Sequence, residues 1–349
     1  MLEQEYYESS RRKYLMIAAG AALTLIAAYA FTTFGMKEAG LLQTVDALGR
    51  YLDGSLEIGA DAPMNKIILL LRLPRVVLAM IAGAGLAVAG ALMQSVTRNA
   101  LVSPFTLGIS AAAALGASLS IVLGAGTALD SNLGIISAAF LLSCTCGVIV
   151  YGIAQRAGLS PTSIVLVGIA LNYFFSALTA TLEFFAQEHK LAAVIQWTFG
   201  SLHRASWEYV GIGGIIVTAG LFVALFYALP LNVMAVSDDE TARSLGVNPV
   251  RLRTIAGLVA VFMTATIISF TGVIGFVGLI APHMARFLIG TDARFYLPFT
   301  AVLGAALLLV SDTVGKLILY PVTIPVGIVI SFFGVPLFIH LILRNRRGL

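Results

Sequence analysis

Catalytic chemistry finds little support among the side chains of this 349-residue sequence. Its four histidines are far apart, and none belongs to an H-E-x-x-H metal motif: His189, His203, His283 and His340. Gly315-Lys316 is followed by Leu317 and lacks the upstream glycine of a phosphate-binding loop. A G-x-S-x-G nucleophile elbow is also absent from the sequence. We therefore predict no catalytic residue, no metal site and no cofactor in this chain.

Two acidic side chains lie in apolar segments long enough to cross a membrane. Glu183 falls near the outer end of the fifth segment, and Asp312 falls in the outer part of the ninth. Lys316 follows Asp312 by one helical turn, which is close enough for an ion pair. Proton- or sodium-driven transporters normally place ionisable groups deep in the membrane. The pattern therefore disfavours ion coupling, although an ion-coupled secondary transporter and a non-transporting scaffold or sensor remain the rival functions.

The connector at 230–249 carries the most clearly patterned charges in the sequence. Ser237 and Glu240 match the S-x-x-E capping box of a helix N-terminus. Asp238 and Asp239 fall in the first turn, where the helix dipole favours negative charge. We therefore expect the connector to begin with a short, well-capped helix.

The same connector also carries signals for where that helix ends. Arg243 lies near its C-terminal end, and Gly246 offers a left-handed stop. Asn248 then provides a new N-cap, with Pro249 at the first position of the next helix. A short, rigid helix outside the membrane is a surface for another protein, so we expect a partner here.

The elements that position these residues are membrane helices. Hydrophobic residues make up 59% of the chain and charged residues 11%, and the mean hydropathy is +0.97. No soluble domain needs this much apolar surface, so we predict an all-α polytopic membrane protein forming a single transmembrane domain, 1–349. Ten apolar segments lie at 14–34, 67–95, 105–126, 133–155, 161–186, 207–229, 250–271, 276–290, 297–319 and 323–343.

Three details refine this prediction. Segment 14–34 contains a small-x-small pattern at Ala28-Tyr29-Ala30, but its acidic leader and its length indicate a retained first span. Segment 276–290 is short and follows several glycines, which predicts a broken or re-entrant helix. Small residues spaced by four in the second span predict a surface on which another helix lies closely: Ala79, Gly83, Ala87 and Ala91.

The distribution of basic residues predicts the orientation. With the N-terminus inside, more than half of the 21 Lys and Arg residues fall in inner segments. The positive-inside rule then places both termini, and the 230–249 connector, in the cytoplasm. The basic residues on the inner side are Arg11, Arg12, Lys13, Arg98, Arg156, Arg243, Arg251, Arg253, Arg286, Arg294, Arg344, Arg346 and Arg347.

On the outer side, Arg72-Leu73-Pro74-Arg75 opens the second span, and Lys316 falls near the same level. These side chains are either interfacial anchors or a docking site, because the guanidinium fork of arginine suits a carboxylate on a partner protein. The sequence leaves both interpretations open.

Several separated motifs add a family resemblance that covers nearly the whole chain beyond residue 65. They are Leu71-Arg72-Leu73-Pro74-Arg75; Gly90 and Gln94; Arg98-Asn99-Ala100-Leu101 with Pro104 and Leu107-Gly108; Trp197 with Gly200-Ser201-Leu202; the 237–247 connector; Gly275-Phe276-Val277-Gly278-Leu279-Ile280-Ala281-Pro282-His283 with Arg286; Asp312; Ile324-Pro325-Val326-Gly327; and Gly334-Val335-Pro336-Leu337-Phe338. In this order they resemble the FecCD-type permeases of type II ABC importers, which take up iron–siderophores, haem and cobalamin.

The resemblance implies a cobalamin-importer-like permease of ten helices in the cytoplasmic membrane, paired with a second copy or a close paralogue. Two ATPase subunits, which hold ATP and Mg, would dock on the connector. The coupling residues would be Ser237, Asp238, Asp239, Glu240, Thr241, Ala242, Arg243, Ser244, Leu245, Gly246 and Val247. A ferric siderophore is the expected substrate; haem, cobalamin and molybdate are the alternatives.

Two further sites follow from the resemblance. Arg72, Arg75 and Lys316 would meet acidic residues of an extracytoplasmic substrate-binding protein, although relatives often carry arginine where Lys316 stands. A cytoplasmic gate would include Thr162 and Ser163, for which ordinary capping of the fifth span is the alternative explanation. Transport would then occur by alternating access, driven by ATPases that push on the connector.

Overall fold

The computed structural model describes residues 2–33, 45, 49–50, 63–124 and 126–345. Helices are the dominant elements of these residues, and no strand occurs among them. The helices are α1 (Leu2–Thr33), α2 (Pro63–Ile67), α3 (Leu73–Thr97), α4 (Ile109–Leu123), α5 (Asn132–Arg156), α6 (Pro161–Phe185), α7 (Glu188–Thr198), α8 (Trp207–Phe226), α9 (Ala228–Val236), α10 (Asp239–Ser244), α11 (Pro249–Thr271), α12 (Val277–Ile289), α13 (Ala293–Leu317) and α14 (Val326–Asn345). Arg346 and Arg347, which the charge pattern assigned to the inner side, lie outside the described residues.

The ten predicted apolar segments are confirmed as helices. Seven helical spans in the described residues are long and apolar enough to cross a membrane. Three shorter apolar helices complete the set, at Ile109–Leu123, Val277–Ile289 and Val326–Pro336. Helix α7 is an additional element that the apolar pattern did not indicate, because it is only 11 residues long and begins with three polar residues, Glu188-His189-Lys190. The fold class is therefore the predicted all-α polytopic one.

Helix α3 lies at the centre of the bundle and packs against α13, α11 and α12. The predicted stripe of small residues faces these neighbours: Ala79, Ala87 and Ala91 have no exposed surface. A Cβ atom on Gly83 would lie only 2.2 Å from the carbonyl oxygen of Gly304 in α13. The helix backbones therefore touch at this position, which is how membrane helices gain packing energy without a hydrophobic driving force.

The predicted break before the eighth apolar segment is also confirmed. Helix α11 ends at Gly272, whose φ is 72°, and the chain runs without helix until α12 begins after Phe276. Phe276 itself has a φ of 64°, a left-handed conformation that is rare for a residue with a bulky side chain. The break leaves α12 only 13 residues long.

The position of Arg72 and Arg75 differs from the prediction that they open the second span. That span begins earlier, because α2 continues through a π-helical turn, Ile68–Arg72, into α3 without a break. Pro74 lies in the first turn of α3 and has no N–H to donate to the preceding turn, where the indole N–H of Trp207 donates to the carbonyl oxygen of Leu69 at 2.9 Å. The wider π turn absorbs this interruption, so the helix changes its hydrogen-bonding pattern instead of ending.

Candidate functional site: two charged clusters at opposite ends of the bundle

Helix α3 separates the two groups of charged residues that the sequence singled out. Arg75 lies in its first turn, and Arg98 caps its C-terminal end. A helix rises 1.5 Å per residue, so these two residues are about 35 Å apart along its axis. The hydrocarbon core of a bilayer is about 30 Å thick. The two clusters are therefore separated along α3 by more than the thickness of a bilayer core.

The connector helix α10 is capped by Asp238. The backbone N–H of Thr241 donates to Asp238 Oδ1 at 2.8 Å, and hydrogen bonding from the Thr241 side chain, followed by this backbone bond, lowers the pKa of the Asp238 carboxyl group. The prediction that Ser237 forms the capping box with Glu240 is wrong. The Ser237 hydroxyl instead donates to the carbonyl oxygen of Val233 at 2.6 Å, so this residue closes α9. Ser237 is the C-cap residue of α9 and α10 has its N-cap at the next residue, Asp238, so Ser237 caps only α9.

The end of the connector follows the prediction. Gly246 adopts a left-handed φ of 82°, and the backbone N–H of Arg251 donates to Asn248 Oδ1 at 3.0 Å. One face of α10 is buried through Ala242, which has no exposed surface. The opposite face is open to solvent and consists of Glu240, Thr241, Arg243, Ser244 and Leu245. Leu245 is 64% exposed, so this face combines an apolar side chain with charges of both signs.

Two arginines hold α10 to the membrane helices through one carboxylate. Arg253 of α11 donates to both oxygens of Asp239, at 2.6 and 2.7 Å, and Arg98 donates to Oδ1 at 3.0 Å. The Arg253 side chain is fully buried, whereas that of Asp239 is 35% exposed. The hydrogen bond from Arg253 is the main reason that the pKa of Asp239 lies below its ordinary value. No local pattern in the sequence indicated this pairing.

A second carboxylate on the same side joins α9 to the start of α13. Asn232 donates to Asp292 Oδ1 at 2.9 Å, and Arg294 donates to Oδ2 at 2.7 Å. The Asn232 side chain also accepts a hydrogen bond from the backbone N–H of Ala293 at 2.7 Å. The bond from Arg294 is the largest of the interactions that lower the pKa of Asp292 to about 2.

Acid should therefore weaken this junction. Because the folded pKa of Asp292 is below its ordinary value of 3.8, its stabilising contribution is complete above that value. The contribution is lost as the pH falls from 3.8 through about 2. We expect Asp292→Asn to be less stable than the parent at neutral pH, with the difference closing in acid. Thermal unfolding of the purified protein in detergent at several pH values measures this. The exposed carboxyl of Glu8 provides the control, Glu8→Gln, and a difference for Asp292→Asn that stays constant with pH would contradict the assignment.

The opposite cluster is centred on Asp312, whose side chain is only 2% exposed. Arg75 donates to it through Nε at 3.1 Å and through Nη2 at 2.8 Å, so the contact uses the planar guanidinium fork. Lys316 lies 2.6 Å from the other carboxylate oxygen, which confirms the predicted pair one helical turn apart. The partnership with Arg75 was missed, because the two residues are 237 positions apart. Opposite charges near the same membrane level were its only sequence signal.

His203, in the loop between α7 and α8, completes this cluster. Its Nδ1 lies 3.0 Å from Arg75 Nη1. Partial burial, followed by the charge of Arg75, lowers the pKa of His203 below its ordinary value. Arg72, the third predicted docking residue, donates to the carbonyl oxygen of Thr32 at 3.1 Å, which ties α1 to the same end of the bundle.

The predicted gate residues lie in the first turn of α6. Ser160 is the N-cap of this helix and accepts a hydrogen bond from the backbone N–H of Ser163 at 3.1 Å. Ser163 returns a side-chain bond to the carbonyl oxygen of Ser160 at 2.8 Å. Thr162 is exposed. Capping therefore occupies Ser160 and Ser163, and leaves the Thr162 side chain at the surface of the turn.

A large apolar cavity of about 850 Å³ opens beside the broken helix. Aromatic rings from four separate segments line it: Phe105, Phe199, Phe276 and Phe332. Four hydroxyl-bearing residues also line it: Ser103, Thr106, Thr198 and Ser331. No charged side chain of the described residues belongs to its lining. The cavity can therefore accommodate a bulky ligand without binding it strongly.

Comparison with known proteins matches residues 23–344 to the FecCD transport family. A protein of Methanocaldococcus jannaschii named as an ABC transporter permease is 40% identical over 310 residues, which is 86% of each chain. The iron(3+)-hydroxamate import permease FhuB of Bacillus subtilis is 34% identical over 337 residues, covering 96% of this chain and 84% of its own. Other relatives are named as permeases for ferric citrate and for hemin.

A solved structure has the same fold. It is described as an inward-facing conformation of an ABC transporter assigned to the metal-chelate type, and its TM-score against this chain is 0.81. The two sequences are 27% identical, and the match covers 94% of this chain and 99% of that one.

Proposed function

The chain belongs to the FecCD transport family, and we propose that, as the permease subunit of an ATP-driven importer, it moves a ferric siderophore across the cytoplasmic membrane. One observation carries the proposal: an exposed connector helix and a positively charged cluster lie at opposite ends of the same central helix. An importer needs a contact for its ATPase on one side and a contact for its binding protein on the other. The connector provides the first and the Arg75 cluster the second.

The connector suits an ATPase contact because its outward face is polar, exposed and rigidly backed. Within residues 237–247, α10 follows directly on the end of α9 and is followed closely by the N-cap of α11. A push on α10 therefore reaches α11 through Pro249 without an intervening flexible loop. ATP and Mg would be held by the ATPase subunits, and this chain would contribute no catalytic group. Two copies of the permease, or this chain and a paralogue, would present two such connectors.

The Arg75 cluster suits a binding protein with acidic surface residues. Arg75 and Lys316 share the single carboxylate of Asp312, so this cluster keeps an excess of positive charge. Arg72 adds a third cation on the same helical span. Such an excess attracts acidic residues and raises the rate of encounter. It supports the docking role proposed for Arg72, Arg75 and Lys316.

The large cavity suits the translocation path, and its chemistry favours a bulky chelate. Aromatic and aliphatic walls with a few hydroxyl groups bind a large solute weakly, which permits release. Thr162 and Ser163, at the start of α6, would belong to the cytoplasmic gate. Rocking of packed helices would then alternate access to the path. Haem, cobalamin and molybdate remain the alternative substrates within this class, and ion-coupled secondary transport is the alternative from a different class.

Uptake by proteoliposomes tests the energy source. The permease, its ATPase and its binding protein are reconstituted, and the entry of a ferric hydroxamate is followed with ATP inside or with a proton gradient alone. We expect uptake with ATP and none with the gradient. Uptake driven by the gradient without ATP would contradict the proposal. A panel containing haem, cobalamin and molybdate identifies the substrate.

Charge reversal on the connector tests the ATPase contact. We expect Glu240→Lys combined with Arg243→Glu to lower ATPase binding by about tenfold or more, since two rim charges of the interface are inverted while α10 keeps its cap and its buried Ala242. Co-purification of the ATPase and chelate uptake are the measurements. The control Glu8→Lys changes an exposed acidic residue on α1. Unchanged co-purification of the double variant would argue against this contact.

A further inference from the structure

Arg253 lies at a junction of three separate chain segments. Its Nε donates to the carbonyl oxygen of Val96 at the end of α3, at 3.1 Å. Its Nη1 donates to the carbonyl oxygen of Leu159, between α5 and α6, at 3.4 Å. Both terminal nitrogens bind Asp239 in the first turn of α10. The side chain has no exposed surface, so all of these partners are protein atoms.

The Leu159 segment is conformationally constrained. Leu159 has a φ of 50°, follows Gly158 with a φ of 80°, and is 1% exposed. A left-handed conformation is unfavourable for a residue with a side chain, so burial and hydrogen bonds must hold it there. The next residue, Ser160, caps α6, and Thr162 stands in the first turn of that helix. The guanidinium of Arg253 therefore holds the backbone that sets the start of α6.

Arg98 makes a parallel connection to the cavity. Its own φ is 51°, and its Nε donates to the carbonyl oxygen of Met234 at 2.7 Å, while Nη2 reaches Asp239. The loop that follows Arg98 includes Ser103 and Phe105, which line the large cavity. Three non-glycine residues have positive φ in the described part of the chain, and Arg98 and Leu159 are two of them. The carboxylate of Asp239 is thus connected to both constrained loops.

We propose that Asp239, Arg98 and Arg253 form a transmission node that couples the position of α10 to the loop before α6 and to the cavity loop after α3. The inference rests on the proposed function, since it assigns to these positioning residues the transfer of ATPase motion to the path.

Burial explains why the node transmits movement. If α10 is displaced, Asp239 moves with it, and the fully buried Arg253 cannot replace the lost carboxylate with water. Breaking the pair would leave the buried guanidinium charge uncompensated, so the guanidinium follows the carboxylate. The carbonyl groups of Val96 and Leu159 are then displaced or released together with it. A single exposed ion pair would break at little cost. The partly exposed contact of Arg98 with Asp239 therefore depends on the second bond that Arg98 makes, from Nε to the carbonyl oxygen of Met234.

The experiment separates transmission from simple stabilisation. Arg253→Lys keeps the charge but removes the planar fork that reaches three segments at once. Arg98→Lys changes a second residue of the node, at a partly exposed position. It therefore tests the proposal even if Arg253→Lys fails to fold. Arg251→Lys is the matched control, because Arg251 stands on the same helix and is exposed. Each variant is assembled with its ATPase and binding protein in proteoliposomes.

Three readouts are compared: ATP hydrolysis, chelate uptake, and the labelling rate of a Thr162→Cys reporter with and without ATP. The reporter is placed in a background carrying Cys144→Ala and Cys146→Ala. We expect both node variants to hydrolyse ATP at close to the parent rate, while uptake falls about tenfold and the labelling rate no longer responds to ATP. Arg251→Lys should match the parent in all three.

Uptake that falls only in proportion to the amount of assembled complex, with an unchanged response of the reporter to ATP, would overturn the node. A parent complex that takes up no chelate with ATP would instead contradict the proposed function. The two failures are therefore distinguishable.

Discussion

Gly90→Val is expected to prevent the permease from reaching its folded state. Gly90 faces α12, and a Cβ atom at this position would lie 1.8 Å from the carbonyl oxygen of Gly278. The obstacle is helix backbone on both sides, so no side-chain rotation relieves it. Overpacking in a core that can adjust costs about 1–3 kcal/mol, and we expect this contact to exceed that range. The measurements are the yield of monodisperse protein in detergent and its thermal unfolding.

Gly211→Val is the matched control for that substitution. Gly211 is also a glycine of a membrane helix, but apart from its chain neighbours and the backbone of its own helix, no atom lies within 4 Å of the position of its Cβ. We expect this variant to accumulate and unfold as the parent does. A Gly90→Val protein that is as stable as Gly211→Val would show that α3 and α12 are not in backbone contact.

Asp312→Asn should produce the second largest effect. Asp312 is the shared partner of Arg75 and Lys316, whose side chains are 14% and 23% exposed. Removing its charge leaves two poorly hydrated cations facing each other without a counter-ion. Breaking a buried ion pair from one side costs about 3–5 kcal/mol. We therefore expect a large drop in thermal stability. If Arg75 has the proposed docking role, binding of the binding protein weakens as well, because Arg75 loses the contact that orients it.

Lys316→Gln tests whether the loss of stability comes from removing the shared carboxylate or from any change in this cluster. It removes one of the two cations but leaves the Arg75 fork on Asp312, so the remaining pair is balanced. We expect a clearly smaller loss of stability than for Asp312→Asn. Equal losses for the two variants would mean that the shared carboxylate is not the source of the stability.

The elements that sequence reasoning identified are those in which local chemistry and apolar length agree. The ten apolar segments, the glycine-rich break before α12 and the stop at Gly246 each depend on residues close together in the chain. The stripe at Ala79, Gly83, Ala87 and Ala91 predicted a close helix contact for the same reason. Its partner, α13, could not be identified, since small residues show that a neighbour comes close without showing which one.

The missed features depend on contacts between distant residues. Arg75 and Asp312 are 237 positions apart. Arg253 and Asp239 are 14 positions apart on consecutive helices, and they meet across the turn between α10 and α11. The N-cap of α10 was displaced by one residue because two capping candidates, Ser237 and Asp238, are adjacent, and the end of α9 decides between them. The π turn before α3 was also missed, since a proline inside an apolar run predicts a helix start as readily as a local adjustment.

Helix α3 has one further consequence, which concerns linkage between its two ends. It runs unbroken from the turn that holds Arg75 to its C-cap residue, Arg98. Backbone contact with α13 and α12 prevents it from bending independently of them. If a partner at either end favours one position of this rigid unit, the free energy of that preference is available to a partner at the other end. Such coupling is reciprocal by thermodynamic necessity. A loaded binding protein and a nucleotide-bound ATPase would then change each other's affinity by the same factor, although they never touch.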